Sequence, residues 1–188
     1  MVKNCILNIL NNLSLLMEQI SKLAIKRINN DYLKYLEDDK SSTLFFDVYP
    51  NPDNILEIYF VLFGLEGTPY HNGFYVGKIL HSPTYPIKAP DYIMLTPNGR
   101  FEINKKICLT TSGFHQDHWV AAAWNLTTLL QGFSSIWHSD VNEDKIGISH
   151  ISKTPVTQLK KSAAESLEWN IKNIPEIFSK FPKMKKYC

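Results

Sequence analysis

Cysteine is scarce in this chain of 188 residues: Cys5, Cys108 and Cys188 lie far apart and are odd in number. No Cys-x-x-Cys pair occurs, which argues against a zinc ribbon, and the spacing does not suit a disulfide scaffold. That usage reads as a reducing, cytosolic context. Charge of one sign is equally lacking. Twenty basic against eighteen acidic side chains leave a formal net charge of +2, too little excess for a protein that binds nucleic acid by neutralising phosphates. Long hydrophobic runs are missing too. The apolar stretch from Cys5 to Ile20 is interrupted by Asn8, Asn11, Asn12, Ser14, Glu18 and Gln19, and it has neither the basic start nor the small-residue cleavage site of a signal peptide. No segment reaches the roughly 20 apolar residues of a spanning helix. No GxxxxGK[ST] phosphate loop is present either.

What the chain does contain is apolar and aromatic weight, 44% and 12% of its residues, enough for one ordinary folded domain with a substantial core. Three zones follow one another. From about Ile6 to Leu36, apolar residues recur at helical spacing (Leu13, Leu16, Met17, Ile20, Leu23, Ile28, Tyr32, Tyr35), which predicts an amphipathic helix. The late carboxylates Asp31, Glu37, Asp38 and Asp39 oppose the helix dipole and set its end near Asp38. Thr43–Tyr49, Asn54–Phe63, Phe74–Leu80 and Asp91–Leu95 are rich in β-branched and aromatic residues and are separated by turn chemistry. They predict an antiparallel meander of four strands. Gly99–Gly113 follows neither period and reads as a long structured loop. Helical spacing returns from Trp124 to Trp137 and from Val156 to Ile174, with Thr154 as cap and Pro155 in the first turn of the second of these helices. The fold class is α+β.

The candidate chemistry sits in the long loop, since loops longer than about 12 residues in a compact domain are usually functional. Cys108 lies ten residues after Asn98. A thiolate is both a good nucleophile and a good leaving group, suited to accepting an acyl group and releasing it. Taken alone, Cys108 between Ile107 and Leu109 reads as a buried core cysteine, and Asn98 in Pro-Asn-Gly reads as a turn residue. His115, Asp117 and His118 nearby admit a cysteine-hydrolase triad or a zinc site. Both signals are weak: a triad is defined by geometry, and Cys-x6-His-x2-His supplies only three ligands at no familiar spacing.

Five motifs in register carry a resemblance. Gly67-Thr68-Pro69-Tyr70-His71-Asn72-Gly73, Tyr85-Pro86-Ile87-Lys88-Ala89-Pro90, Thr96-Pro97-Asn98, Ile107-Cys108-Leu109 and Trp119 together resemble the ubiquitin-conjugating enzymes from about Lys22 to Ile171. Thr-Pro-Asn-Gly-Arg-Phe in place of the common His-Pro-Asn, with Ser112-Gly113-Phe114-His115 after the cysteine, resembles the tail-anchored subfamily of endoplasmic-reticulum quality control. The resemblance implies the family's fold: an N-terminal helix, the meander, an active-site loop and C-terminal helices. It implies Cys108 as carrier of ubiquitin's C-terminus, and Asn98 as donor to the developing oxyanion or as holder of the loop that donates. His115 would line the groove and orient the incoming nucleophile. An acidic residue among Asp140, Glu143 and Asp144 would manage its proton, with a solvated turn as the bland reading of each. The implied partners are ubiquitin, an activating enzyme that meets Lys22, Lys26 and Arg27, and a RING-type ligase that meets Ile87, Val120 and Ala121. No metal or organic cofactor is implied.

Departures accompany the match. Ile58 stands where the family commonly has a strand tryptophan, and Val120-Ala121-Ala122-Ala123 replaces the Ser-Pro-Ala ligase loop. Residues 1–20 read as an amphipathic extension, 21–175 as the conjugating domain, and 176–188 as a polar, basic tail without the subfamily's anchor. The expected location is the cytoplasm, at the cytosolic face of the endoplasmic reticulum for an anchored form. The rival readings are a non-catalytic ubiquitin-binding variant of the same fold and a cysteine hydrolase using Cys108 with His115 or His118.

Overall fold

A computed structural model describes residues 20–41, 44–138 and 154–187. Helix α1 (Lys22–Ser41) starts where Ser21 Oγ accepts a hydrogen bond from the Ala24 N–H at 3.0 Å, an N-cap that satisfies one orphan donor. Its buried residues, Ala24, Ile28, Asp31 and Tyr35, fall at spacings of four, three and four, a single stripe facing the core. The helix runs three residues past the expected end at Asp38. The predicted stretch before residue 20 lies outside the described residues.

Five strands form one antiparallel sheet in chain order: β1 (Phe46–Pro50), β2 (Glu57–Phe63), β3 (Phe74–Leu80), β4 (Asp91–Met94) and β5 (Lys106–Ile107). The expected four-strand meander is therefore short by one. β5 is two residues long and pairs Tyr92 with Ile107 and Ile93 with Lys106. Two residues are too few for alternation to register in a sequence.

The pleat divides the sheet between two apolar layers. Ile58, Phe60, Leu62, Tyr75 and Ile79 face α1 and helix α2 (Leu126–His138). Phe60 meets Phe133 edge to face, ring centroids 5.7 Å apart. On the opposite face, Val61 and Val76 are covered by Phe178, Phe181 and Met184. Phe178 ends the short helix α4 (Pro175–Phe178), Met184 belongs to a 3-10 helix over Pro182–Tyr187, and Phe181 lies in the turn between them.

Residues 176–187 are thus part of the domain and not a loose basic tail. Their lysines lie between apolar residues spaced by three, and it is the apolar ones that pack. Lys183 fastens the segment: its N–H donates to Asp47 Oδ2 at 2.7 Å, and its ammonium reaches Asp39 and the Phe46 carbonyl. Asp47 also accepts from the Tyr35 hydroxyl at 3.0 Å, so the buried carboxylate ties helix, strand and C-terminal segment together.

Helix α3 (Val156–Asn173) begins after Pro155, which occupies the N-cap position without a side-chain bond; the sequence had placed Thr154 there. Further along, α3 grips β3. Ser166 Oγ accepts from the Phe74 N–H at 2.9 Å, and Asn170 Nδ2 donates to the Phe74 carbonyl at 2.8 Å. Asn170 Oδ1 also accepts from Thr96 Oγ1, whose oxygen in turn accepts from the Val76 N–H at 2.9 Å. The start of the long loop is anchored by this chain of bonds.

Candidate active site

From Thr96 the chain turns sharply. Asn98 is 1% exposed. Its Oδ1 accepts from the N–H groups of Arg100 and Phe101 at 2.8 and 2.7 Å, and its Nδ2 donates to the Thr96 carbonyl at 2.9 Å. Gly99 has φ +74°, and a Cβ there would stand 2.7 Å from Leu159, so the turn needs glycine both for its dihedral and for the approach of α3. This is the geometry of a residue that holds the loop: its Oδ1 and one of its two Nδ2 hydrogens bond within the turn.

The loop returns as β5. Ile107 and Leu109 are buried at 6% and 1% exposure, while Cys108 between them is half-buried. Alternation along an extended chain explains this: the aliphatic neighbours point into the core and the thiol points away. After Leu109 the chain is locked by Ser112, which is fully buried. Ser112 Oγ accepts from the Leu109 N–H at 3.0 Å and donates to the Leu109 carbonyl at 2.7 Å, and its own carbonyl accepts from the His115 N–H at 3.1 Å. A 3-10 helix over Gly113–His118 follows and carries His115 back until its Nε2 lies 3.3 Å from Cys108 Sγ. His118 instead faces Asp117 at 3.2 Å. Among the described residues, no group of three or more His, Cys, Asp or Glu can hold a metal ion. Asp140, Glu143 and Asp144 lie outside the described residues.

One amide joins the site to the surface next to it. Gln116 Oε1 accepts from the Ala89 N–H and its Nε2 donates to the Ile87 carbonyl, both at 3.1 Å, while Trp119 Nε1 donates to the Pro86 carbonyl at 2.7 Å. These bonds fasten the Ile87 loop to the segment before Val120. Ile87 and Val120 are exposed large apolar residues, and Ala121 is half-buried.

Arg27 parts company with Lys22 and Lys26. The two lysines are exposed, but the Arg27 guanidinium turns inward. Its Nε donates to Asp31 Oδ1 at 2.8 Å, and its Nη2 donates to the carbonyls of Ala121, at 3.1 Å, and Trp124. Tyr85 donates to the other Asp31 oxygen at 2.8 Å. Burial pushes the Asp31 carboxyl above its ordinary range, against the opposing pull of Tyr85 and Arg27. Arg27 is thus a strut between α1 and the loops that display Val120 and Ala121. Asp31, Ser112 and Gln116 were missed in the sequence, where a lone polar residue beside apolar ones gives no sign of what it bonds.

A five-stranded antiparallel meander flanked by helices, with a half-exposed cysteine after a Pro-Asn turn, defines a class. The chain belongs to the ubiquitin-conjugating enzyme family, whose profile, described as "Ubiquitin-conjugating enzyme", matches residues 27–166. It is 37% identical over 153 residues to the probable ubiquitin-conjugating enzyme E2 33 of Arabidopsis thaliana, covering 81% of this chain and 59% of that protein. It is likewise 37% identical over 150 residues to mouse ubiquitin-conjugating enzyme E2 J2, covering 80% and 54%. Against ubiquitin-conjugating enzyme E2 6 of Schizosaccharomyces pombe, identity is 34% over 164 residues, covering 87% and 68%. The chain therefore spans between about half and two thirds of the length of these curated relatives. A crystal structure of a ubiquitin-conjugating enzyme E2 from Plasmodium falciparum superposes with a TM-score of 0.51 at 25% identity, covering 61% of this chain and 98% of that one.

Proposed function

We propose that this chain accepts the C-terminus of ubiquitin as a thioester on Cys108 and passes it to a lysine amine, or to a hydroxyl, with a RING-type ligase as helper. In the first step the Cys108 sulfur attacks the thioester carbonyl presented by an activating enzyme. A new C–S bond forms, and the activating enzyme's thiolate leaves. In the second step an amine nitrogen attacks the carbonyl on Cys108. A C–N bond forms, the C–S bond breaks, and the nitrogen gives up a proton. ATP is consumed upstream, so the chain itself needs no cofactor.

The observation that carries this reading is the half-exposed Cys108 sulfur, set between two buried neighbours and 3.3 Å from His115 Nε2. Family membership supplies the substrate class. His115 is assigned to orienting the nucleophile, Asn98 to holding the loop, and one of Asp140, Glu143 and Asp144 to receiving the proton. Lys22 and Lys26 are the cations offered to the activating enzyme, and Ile87 and Val120 are the apolar anchors offered to the ligase. A few exposed apolar anchors of this kind suit a weak, transient interface. The resemblance to the tail-anchored subfamily points to work at the cytosolic face of the endoplasmic reticulum. Among the described residues, no helix is long and apolar enough to cross a membrane.

The test is incubation with activating enzyme, ATP and ubiquitin. A reductant-sensitive adduct is expected, replaced in Cys108→Ser by an oxyester that resists reductant. No adduct at all would favour the non-catalytic ubiquitin-binding reading. Cleavage of a ubiquitin thioester without activating enzyme would favour the hydrolase.

A further inference from the structure

Lys106 stands two residues before Cys108. Exposure alternates along this stretch: Lys106 is exposed, Ile107 buried, Cys108 half-buried and Leu109 buried. Lys106 and Cys108 therefore emerge from the same face of the extended chain. The Lys106 ammonium is not free to wander on that face. It forms an ion pair with Asp91 Oδ2 at 2.7 Å, the lysine side chain half-exposed and the aspartate mostly covered.

The position of Asp91 matters here. The β4–β5 ladder pairs Ile93 with Lys106 and Tyr92 with Ile107. The ladder ends there, and continuing its register by one residue puts Asp91 level with Cys108 along the chain. The ion pair thus runs diagonally, drawing the amine about two residues, or roughly 7 Å, along the strand to the level of the sulfur. The turn that follows the cysteine closes over the same carboxylate, since a Cβ on Gly113 would stand 2.9 Å from Asp91 Oδ1. Lys105, one residue earlier, pairs with Glu102 instead.

We propose that Lys106 is a self-modification site, receiving the acyl group that Cys108 carries. The inference rests on the reading of Cys108 as an acyl carrier. Once the ammonium has given a proton to water, Nζ attacks the thioester carbonyl; a C–N bond forms, the attacking nitrogen gives its second proton to water, the C–S bond breaks, and Cys108 leaves as thiolate. An amide replaces the thioester, and the charge that held Lys106 to Asp91 is lost. Holding both groups on one face makes the transfer intramolecular, with the high effective concentration such placement confers.

The experiment charges the full chain with activating enzyme, ATP and ubiquitin, then removes ATP and follows thioester decay without added amine. A reductant-resistant adduct is expected, mapped by peptide mass spectrometry to Lys106 and formed at a rate independent of protein concentration. Lys106→Arg keeps a cation for Asp91 but cannot be acylated under these conditions. It should charge normally, lose the adduct, and hold its thioester severalfold longer. Lys105→Arg should keep the adduct. An adduct at another lysine, a rate that rises with protein concentration, or equal thioester lifetimes in Lys106→Arg and the parent chain would overturn the assignment. If no reductant-sensitive adduct forms at the outset, the carrier reading itself has failed, and the Lys106 assignment falls with it.

Discussion

His115 Nε2 lies 3.3 Å from Cys108 Sγ, although the segment joining them is neither a strand nor an α-helix. What brings the ring back is the pair of bonds between Ser112 Oγ and the main chain of Leu109. A short side chain that both donates and accepts closes a tight turn and leaves the next three residues little choice of direction.

His115→Ala is therefore expected to charge with ubiquitin but to discharge slowly to free lysine. Because the ring is assigned to orienting the incoming nucleophile, the loss should be on the order of a hundredfold. Single-turnover discharge of the preformed thioester measures it. An unchanged rate would leave His115 as a surface histidine that happens to touch the thiol.

Asn98→Ala removes the acceptor for two buried N–H groups and the donor to the Thr96 carbonyl. Each orphaned buried group costs about 1–3 kcal/mol, so the urea midpoint should fall measurably together with transfer activity. Asn98→Asp keeps the acceptor and should recover part of the stability. Were activity to vanish with stability intact, Asn98 would be donating to the reacting carbonyl and not holding the loop.

Phe181 is fully buried against β2 and β3, its ring centroid 6.5 Å from that of Tyr49. Phe181→Ala should cost about 3–5 kcal/mol, whereas Lys185→Ala, on the solvent side of the same segment, should stay within about 0.5 kcal/mol. Urea unfolding of the two variants side by side decides whether this segment is domain or tail. Equal, small effects would make it a tail.

His81 makes stability depend on pH. Its ring is buried against Tyr85, ring centroids 4.6 Å apart, with Nδ1 3.0 Å from the Leu56 carbonyl. Burial, with a smaller push from the Arg27 charge, lowers its pKa from the ordinary 6.5 to about 4, against the opposing bond to Leu56. The unfolded chain therefore takes up this proton first. Above pH 6.5 the histidine is neutral in both states and its titration does not affect stability. As pH falls toward 4 the folded state loses about 1.4 kcal/mol per unit, roughly 3 kcal/mol in all. Asp31, whose pKa burial raises, acts with the opposite sign in the carboxylate range. Glu57 adds to the acid loss: although burial raises its pKa, its bonds with Lys78 and Asn51 leave it lowered on balance. In His81→Gln the stability deficit relative to the parent chain should shrink steadily from pH 6.5 to 4. A deficit that stays constant over that range would show that His81 does not titrate there.

Much of the architecture was open to reading along the chain. α1, α2 and α3 each present one apolar stripe, and β1 to β4 each carry enough β-branched and aromatic residues between turn signals to be located within a few positions. Asn98 and Cys108 stood out because their residue types recur in one order with Gly67–Gly73 and Tyr85–Pro90. Such features are local, or repeat the spacing of a family, and need no knowledge of what lies across the fold.

The direction of Arg27 was decided elsewhere. Among basic neighbours on an amphipathic helix it looked like another surface cation, yet its acceptors include Ala121 and Trp124, 94 and 97 residues away. The same holds for the second apolar layer. Phe178, Phe181 and Met184 lie among lysines, and only the uncovered face of β2 and β3 shows why they turn inward. β5 exists because β4 offers it an edge, and that pairing brings Asp91 to Lys106. Periodicity in a chain states which side of an element avoids water. Which partner covers that side, and which buried donor meets which acceptor, depends on contacts between segments far apart in sequence, and those form only when the whole domain closes.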